Sequence, residues 1–405
     1  GVGVTMGTGT EISGGGGGDK GTGIGAGRGH QREMSGWAGG TGKAFQAVAG
    51  GLNWLARHQL PDGTWRCNQF PGGCNCTQRG ASDYVVGATA LGVLPFLAAN
   101  VTGEEPHQYR NTVRSGIAAL ARLQDPQTGA IRSGEGTGLI YGHSLATIAL
   151  CEAYAMTGSD ALRQRATAAL MYMEYAQDPK RGGWRYTPRS DSDTSVTGWA
   201  LMALQSGRMA DLSVSQKSFD EARRYLQSVS GGHYHHLYGY TSGTADIRPS
   251  MTAAGLLCMQ YLGEPANGPM MTEGRKYLLE HRPGVGERNL YYIYYAAQVM
   301  HNSLGPEWDQ WNRAMRKDFI ESQVRDGCAA GSWDLTQSGD SHIRSAGGRL
   351  IGTSLAVLSL EVYYRHLPLF RHGSREEGNP APQPEPEPAP QPDLVPQPAA
   401  DETSE

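Results

Sequence analysis

The chain has 405 residues, with 57 glycines, 22 prolines and a formal net charge of −4. From Ser374 onward eight acids face one base, so the negative balance sits in the last residues and the rest carries about +3. A body so close to neutral argues against nucleic acid as the main partner.

Composition also marks the domain limits. Residues 1–50 hold 19 of the glycines, and residues 374–405 hold nine of the prolines. Neither end can bury enough apolar surface to offset its conformational entropy. The sequence therefore predicts a disordered Gly-rich segment over 1–42, a folded domain over 43–372 and a disordered acidic, Pro-rich tail over 373–405. The tail reads as an extended, self-repelling spacer, with docking of a protein partner as the alternative. Near the first boundary, GGTGKA (39–44) departs from a phosphate-binding loop, because Trp37 replaces its first glycine and Ala44 its hydroxyl. The uncharged run Tyr84–Gly103 contains Pro95 and Asn100 and reads as a buried helix with its exit turn, so no transmembrane segment is expected.

A unit then recurs along the domain: an amphipathic stretch ending in Gln, a Gly-containing turn, often a Trp, then a strongly apolar helix. Clear copies are His58–Trp65, Ala176–Trp184 and Ser322–Trp333. Weaker ones are Leu123–Arg132 and Leu226–Tyr240, with a degenerate sixth around Glu280–Tyr292. The markers Gln59, Gln124, Gln177, Gln227, His281 and Gln323 are 65, 53, 50, 54 and 42 residues apart. The helices after the turns are expected at Asp83–Ala99, Tyr141–Met156, Thr194–Met209, Ser250–Leu262, Leu290–Leu304 and Leu350–Tyr364, with N-caps at Asp83, Asp193 and Ser250. They are apolar all round and must be surrounded by protein, whereas those before the markers have one wet face. Six of each in alternation predict an all-α fold, an (α/α)6 toroid of six helical hairpins. No β-branched runs alternate with the helices, so a parallel sheet is not expected.

Gln followed by Asp-Gly-Thr/Ser-Trp at about 50-residue spacing resembles the QW repeat of squalene–hopene cyclases, which share their α/α toroid with the β subunits of protein prenyltransferases. The resemblance covers about Gly51 to Leu369 and looks like the single-toroid bacterial type. It implies a structural role for the Gln and Trp residues and an isoprenoid or similar apolar ligand in a central cavity. It also implies acid-initiated cyclase chemistry. The cyclases carry an acidic DxDD-T-A motif at the start of an inner helix, and the matching stretch here is Ser190–Ser195. Asp191 and Asp193 are its candidate catalytic acids, although Ser192 stands where one alignment puts the family's acid. Such chemistry needs a carboxylic acid kept protonated by an apolar site; the alternative for Asp193 is a helix cap.

The family's aromatic lining stabilises cations through ring faces. Tyr141, Trp199, Tyr291, Tyr292, Tyr294 and Tyr295 on inner helices, and Trp184, Tyr186, Tyr238 and Tyr240 on loops, are candidates, with core packing as the alternative for each. His143 joins the candidate ligand-binding set. The prenyltransferase zinc site has no counterpart, but Cys67, Cys74 and Cys76 supply three soft ligands for zinc, with Asp83 or His143 as a fourth; a disulfide plus one free thiol is the alternative. GHSLA (142–146) mimics a hydrolase nucleophile elbow but lacks the preceding strand such a motif needs. Two further functions fit the sequence: a non-catalytic scaffold for protein or surface contacts, and a polysaccharide lyase using Arg185, Arg189 or Arg248.

Overall fold

The computed structural model describes residues 42–362, apart from 135–138, 244, 286–287, 304, 337–338, 340 and 342. The terminal segments expected to be disordered, over 1–42 and 373–405, lie outside the described residues except for Gly42. Among the described residues twelve α-helices alternate between two layers. The outer layer comprises α1 (Gly42–Arg57), α3 (Arg110–Arg122), α5 (Asp160–Ala176), α7 (Gln216–Ser228), α9 (Pro269–Glu280) and α11 (Pro306–Ser322). The inner layer comprises α2 (Val85–Ala98), α4 (Leu139–Thr157), α6 (Thr194–Met209), α8 (Pro249–Tyr261), α10 (Leu290–Ser303) and α12 (Gly348–Leu360).

Each inner helix packs against the next, and α12 packs back on α2, closing the ring; α11 likewise meets α1 in the outer layer. The two layers follow from composition. Every residue of α2 is buried, as an uncharged helix must be when neighbours cover it on all sides. The outer helix α7 buries Phe219, Ala222, Tyr225 and Leu226 and leaves its charged face wet. No described helix is long and apolar enough to cross a membrane. Strand among the described residues is slight: Ser230–Gly231 pairs antiparallel with Leu237–Tyr238, beside isolated bridges in the turns.

The Gln and Trp markers hold the hairpins together. Gln177 Nε2 donates to Gly182 O at 2.7 Å, within its own turn, and to Ser218 O on the next outer helix at 2.9 Å. Gln59 repeats this with Gly63 O and Thr112 O, Gln124 with Gly129 O and Arg165 O, and Gln323 with Gly331 O and Ala47 O. The last of these joins the sixth hairpin to the first. Trp65, Trp184 and Trp333 are fully buried, and their indole N–H groups donate to Leu55 O, Met173 O and Phe319 O of the preceding outer helices. Glycine is required within such a turn: Gly182 has φ +89°, and a Cβ there would lie 2.4 Å from Glu221 O. The weak markers differ. His281 bonds back to Tyr277 O of its own helix at 2.8 Å, and no side-chain tie from Gln227 to a neighbouring helix occurs among the described residues.

Gln177→Ala removes two bonds, one closing its own turn and one linking it to the next hairpin. It is expected to cost about 1–3 kcal/mol, read as a lower midpoint in urea unfolding at an unchanged slope.

Candidate functional site

The expected cap at Asp193 is present. Its Oδ1 accepts from Val196 N at 2.8 Å, and its backbone N–H donates to Trp184 O, which fixes the residue against the turn. The other two caps are not formed. Asp83 instead faces Arg66 at 3.5 Å, leaving Tyr84 at the N-cap, and Ser250 lies inside α8 behind Pro249.

Asp193 is fully buried. Among the described residues its Oδ2 accepts no hydrogen bond of ordinary geometry, and it lies 3.6 Å from Arg185 Nε. Burial raises its pKa to about 6, while the Val196 N–H, the Tyr240 hydroxyl and Arg185 pull the other way. Asp191 behaves differently. It pairs with Arg185 at 2.6 Å and Arg181 at 3.1 Å; although burial opposes them, the Ser192 N–H and these arginines hold its carboxyl below the usual range. Two carboxylates two residues apart are thus separated in acidity. Tyr186 and Tyr240 share a 2.6 Å hydrogen bond beside them.

The aromatic candidates divide by direction. Tyr141 Oη and Ser195 Oγ are 2.7 Å apart, and Ser195 Oγ and Tyr291 Oη 2.8 Å apart. These residues stand at the N-terminal ends of α4, α6 and α10 and join helices across the ring. One turn deeper, Trp199 stacks on Tyr294 with centroids 5.4 Å apart and meets Tyr295 edge-on. Burial raises the pKa of the Tyr141 and Tyr291 hydroxyls, and the nearby Asp193 charge adds to this. Three other candidates face the space between the layers. Tyr292 donates to Leu278 O on α9 and packs edge-on against Trp311. Trp184 is held by Met173 O on α5. His143 accepts from Ile131 N at Nδ1 and bonds Ala169 O through Nε2, and burial lowers its pKa to about 4. On α10, Tyr292 is turned about 100° from Tyr291, whereas Tyr291, Tyr294 and Tyr295 share one face. Ser144 of the hydrolase lookalike is buried within α4 and donates to Ile140 O at 2.6 Å.

The cysteine prediction is met in part. Cys74 and Cys76 converge, but with His58 and Cys328 rather than with Cys67, Asp83 or His143. The four ligand atoms of His58, Cys74, Cys76 and Cys328 lie within 4.8 Å of one another, a set that can hold a metal ion. Cys67 is buried elsewhere, its thiol pushed up to about 12 by burial and by Asp83. His58 follows α1 directly and Cys328 lies in the turn after Gln323. His58 lies 16 residues before Cys74 in the same hairpin, whereas Cys328 is 254 residues away and meets it only because the ring closes.

No family profile and no curated protein matches the chain. Solved structures do. An α-amylase from Clostridium perfringens aligns at 11% identity over 79% of this chain and 98% of its own, with a TM-score of 0.54. An α-1,6-mannanase from Salegentibacter in complex with α-1,6-mannotriose aligns at 11% identity over 80% and 99%, TM-score 0.54. The type II terpene cyclase MstE from Scytonema, in complex with geranylgeranyl dihydroxybenzoate, aligns at 13% identity over 80% and 98%, TM-score 0.55. This likeness establishes the α/α-toroid fold.

Proposed function

We propose that the toroid binds an isoprenoid or similar apolar chain at the N-terminal mouth of its inner ring, with Asp193 as the proton donor of a cyclase-type reaction. The observation that carries this is the setting of Asp193: a buried carboxyl with one oxygen capping α6, beside the aromatic residues of the axis, where burial raises its pKa to about 6. In its protonated form it is the acid. Asp191, kept ionised by Arg181 and Arg185, is the electrostatic partner that orients the rim. Tyr141, Tyr291 and Trp199 offer ring faces to a developing cation. Support from elsewhere is of two kinds, since a terpene cyclase and two glycosidases share the fold.

The test is incubation with a geranylgeranyl-type substrate and chromatographic detection of product. Wild type is expected to form product and Asp193→Asn, with its helical circular dichroism intact, to form none. Equal product from both would remove Asp193 from the chemistry.

A second reading, the non-catalytic scaffold, is favoured by the Tyr141–Ser195–Tyr291 bridge and the Trp199–Tyr294 stack, which fill part of the axis. It is tested by the same incubation: neither binding nor turnover by wild type supports it. The lyase reading finds less support. Arg185 is held charged by Asp191, which suits it poorly to act as a base; Arg248 pairs with Asp246; and Arg189 lies over Tyr175 on an outer helix.

A further inference from the structure

The four converging side chains do more than sit close together. Cys328 Sγ is 3.3 Å from Cys74 Sγ. His58 Nε2 is 3.2 Å from Cys74 Sγ, 3.5 Å from Cys76 Sγ and 4.0 Å from Cys328 Sγ. Ligands on a tetrahedral zinc, with bonds of about 2.0–2.3 Å, stand about 3.5–3.8 Å from one another; these four distances lie within a few tenths of an ångström of that, and all four ligand atoms lie within 4.8 Å of one another. The surroundings are already arranged for ligation. His58 Nδ1 bonds Trp54 O at 2.7 Å, which assigns the proton to Nδ1 and aims the Nε2 lone pair at the sulfurs. Trp54 stacks on the imidazole at 3.9 Å, and Phe70 meets it edge-on. Cys76 N donates to Cys74 Sγ at 3.4 Å, which fixes the two residues against each other. Among the described residues no other group of this kind occurs.

The location gives the site its role. His58, Cys74 and Cys76 belong to the first hairpin and Cys328 to the sixth. This is the seam at which the chain's first and last hairpins meet without being consecutive in sequence. Polar contacts concentrate there. Arg57 donates to Cys328 O and Ala330 O, Gln78 Nε2 donates to Asp334 at 2.5 Å, and Arg349 N donates to Gln78 O at 2.8 Å.

We propose that His58, Cys74, Cys76 and Cys328 bind one zinc ion as a closed, four-ligand structural site that clasps the first hairpin to the last and so locks the ring shut. Four protein ligands leave no position for a substrate or water. Binding to thiolates releases the thiol protons to solvent. The link closes a loop of more than 250 residues, and long loops are where a cross-link removes most entropy from the unfolded chain. This site stands apart from the Asp193 mouth, and its failure or success leaves that reading untouched.

The experiment uses the full chain, purified under reducing conditions without added metal. Elemental analysis is expected to find about one zinc per chain. Cobalt(II) exchanged into the site should give tetrahedral ligand-field bands with intense thiolate charge transfer. Cys328→Ser should weaken metal binding by at least about 100-fold, whereas Cys151→Ser, buried in α4, should keep the metal. Should Cys328→Ser fail to fold, the wild type treated with a chelator gives the same information. Amide exchange in the segments around residues 74–82 and 328–335 should accelerate by at least about tenfold, with the ring opposite the seam unchanged. Metal-free folded protein with three freely reacting thiols, or an intact mass showing a Cys74–Cys328 disulfide, would overturn the site. Metal loss without faster exchange at the seam would overturn the clasp.

Discussion

Trp184→Ala is expected to cost about 3–5 kcal/mol, the range for emptying a fully buried tryptophan site. The indole fills the space between α5 and α6 and is fully buried, and its N–H satisfies Met173 O at 2.8 Å. The variant loses the packing and leaves a buried carbonyl unpaired, and the two losses add in one direction. For a domain of this size the midpoint should fall by roughly 6–15 °C in a thermal melt. A fall under about 2 °C would mean the turn closes over the gap, and the account of the Trp markers as hairpin ties would fail. The loss should reach the mouth as well, because Trp184 O is the acceptor that positions Asp193.

Asp193→Asn should have the opposite effect on stability at neutral and higher pH. The folded carboxyl has its pKa raised from 3.8 to about 6, so between those values the folded chain holds a proton that the unfolded chain has released. Its contribution is therefore fully present below about pH 4 and is lost as pH rises through about 6. By pH 8 the buried charge opposes folding by about 3 kcal/mol. Asparagine keeps an oxygen to cap α6 and carries no charge, and Arg185 retains Asp191 at 2.6 Å. Set against the lost contact with Arg185, a net gain of about 1–2 kcal/mol is expected at pH 8 and none near pH 4. Urea unfolding of both proteins at the two pH values reads this out. A variant destabilised at pH 8 would show that Asp193 is a stabilising anion rather than a strained acid.

The fold was open to reading because the inner helices have no wet face. The expected span Thr194–Met209 matches α6 to the residue, and the other inner helices begin within two positions of their expected starts; the expected ends at Leu304 and Tyr364 lie outside the described residues. Caps were harder to read. Asp83 looks like a cap in isolation, but Arg66 takes its carboxylate, a contact set by tertiary structure. The aromatic candidates were legible as a set and not by direction; applying the 100° helical step to Tyr291–Tyr295 would have separated the outward-facing Tyr292 from the rest. For the metal set, Cys74 and Cys76 announced themselves by proximity in the chain. His58, 16 residues before Cys74 in the same hairpin, was within reach of the same reading, whereas Cys328 was not, since ring closure alone brings it to the set. A signal existed: once six repeats are taken to close, the sixth turn must abut the first, and Cys328 lies in that sixth turn.

The claim on which the proposed function rests is that burial at the mouth keeps the Asp193 carboxyl protonated well above the ordinary range of an aspartate. Carbon-13 titration of aspartate carboxyls, with the Asp193 signal assigned by its absence from Asp193→Asn, measures this directly. A midpoint near pH 6 is the predicted result. A midpoint at or below about 4, the value of an unperturbed aspartate, would contradict the account and leave Asp193 as a helix cap.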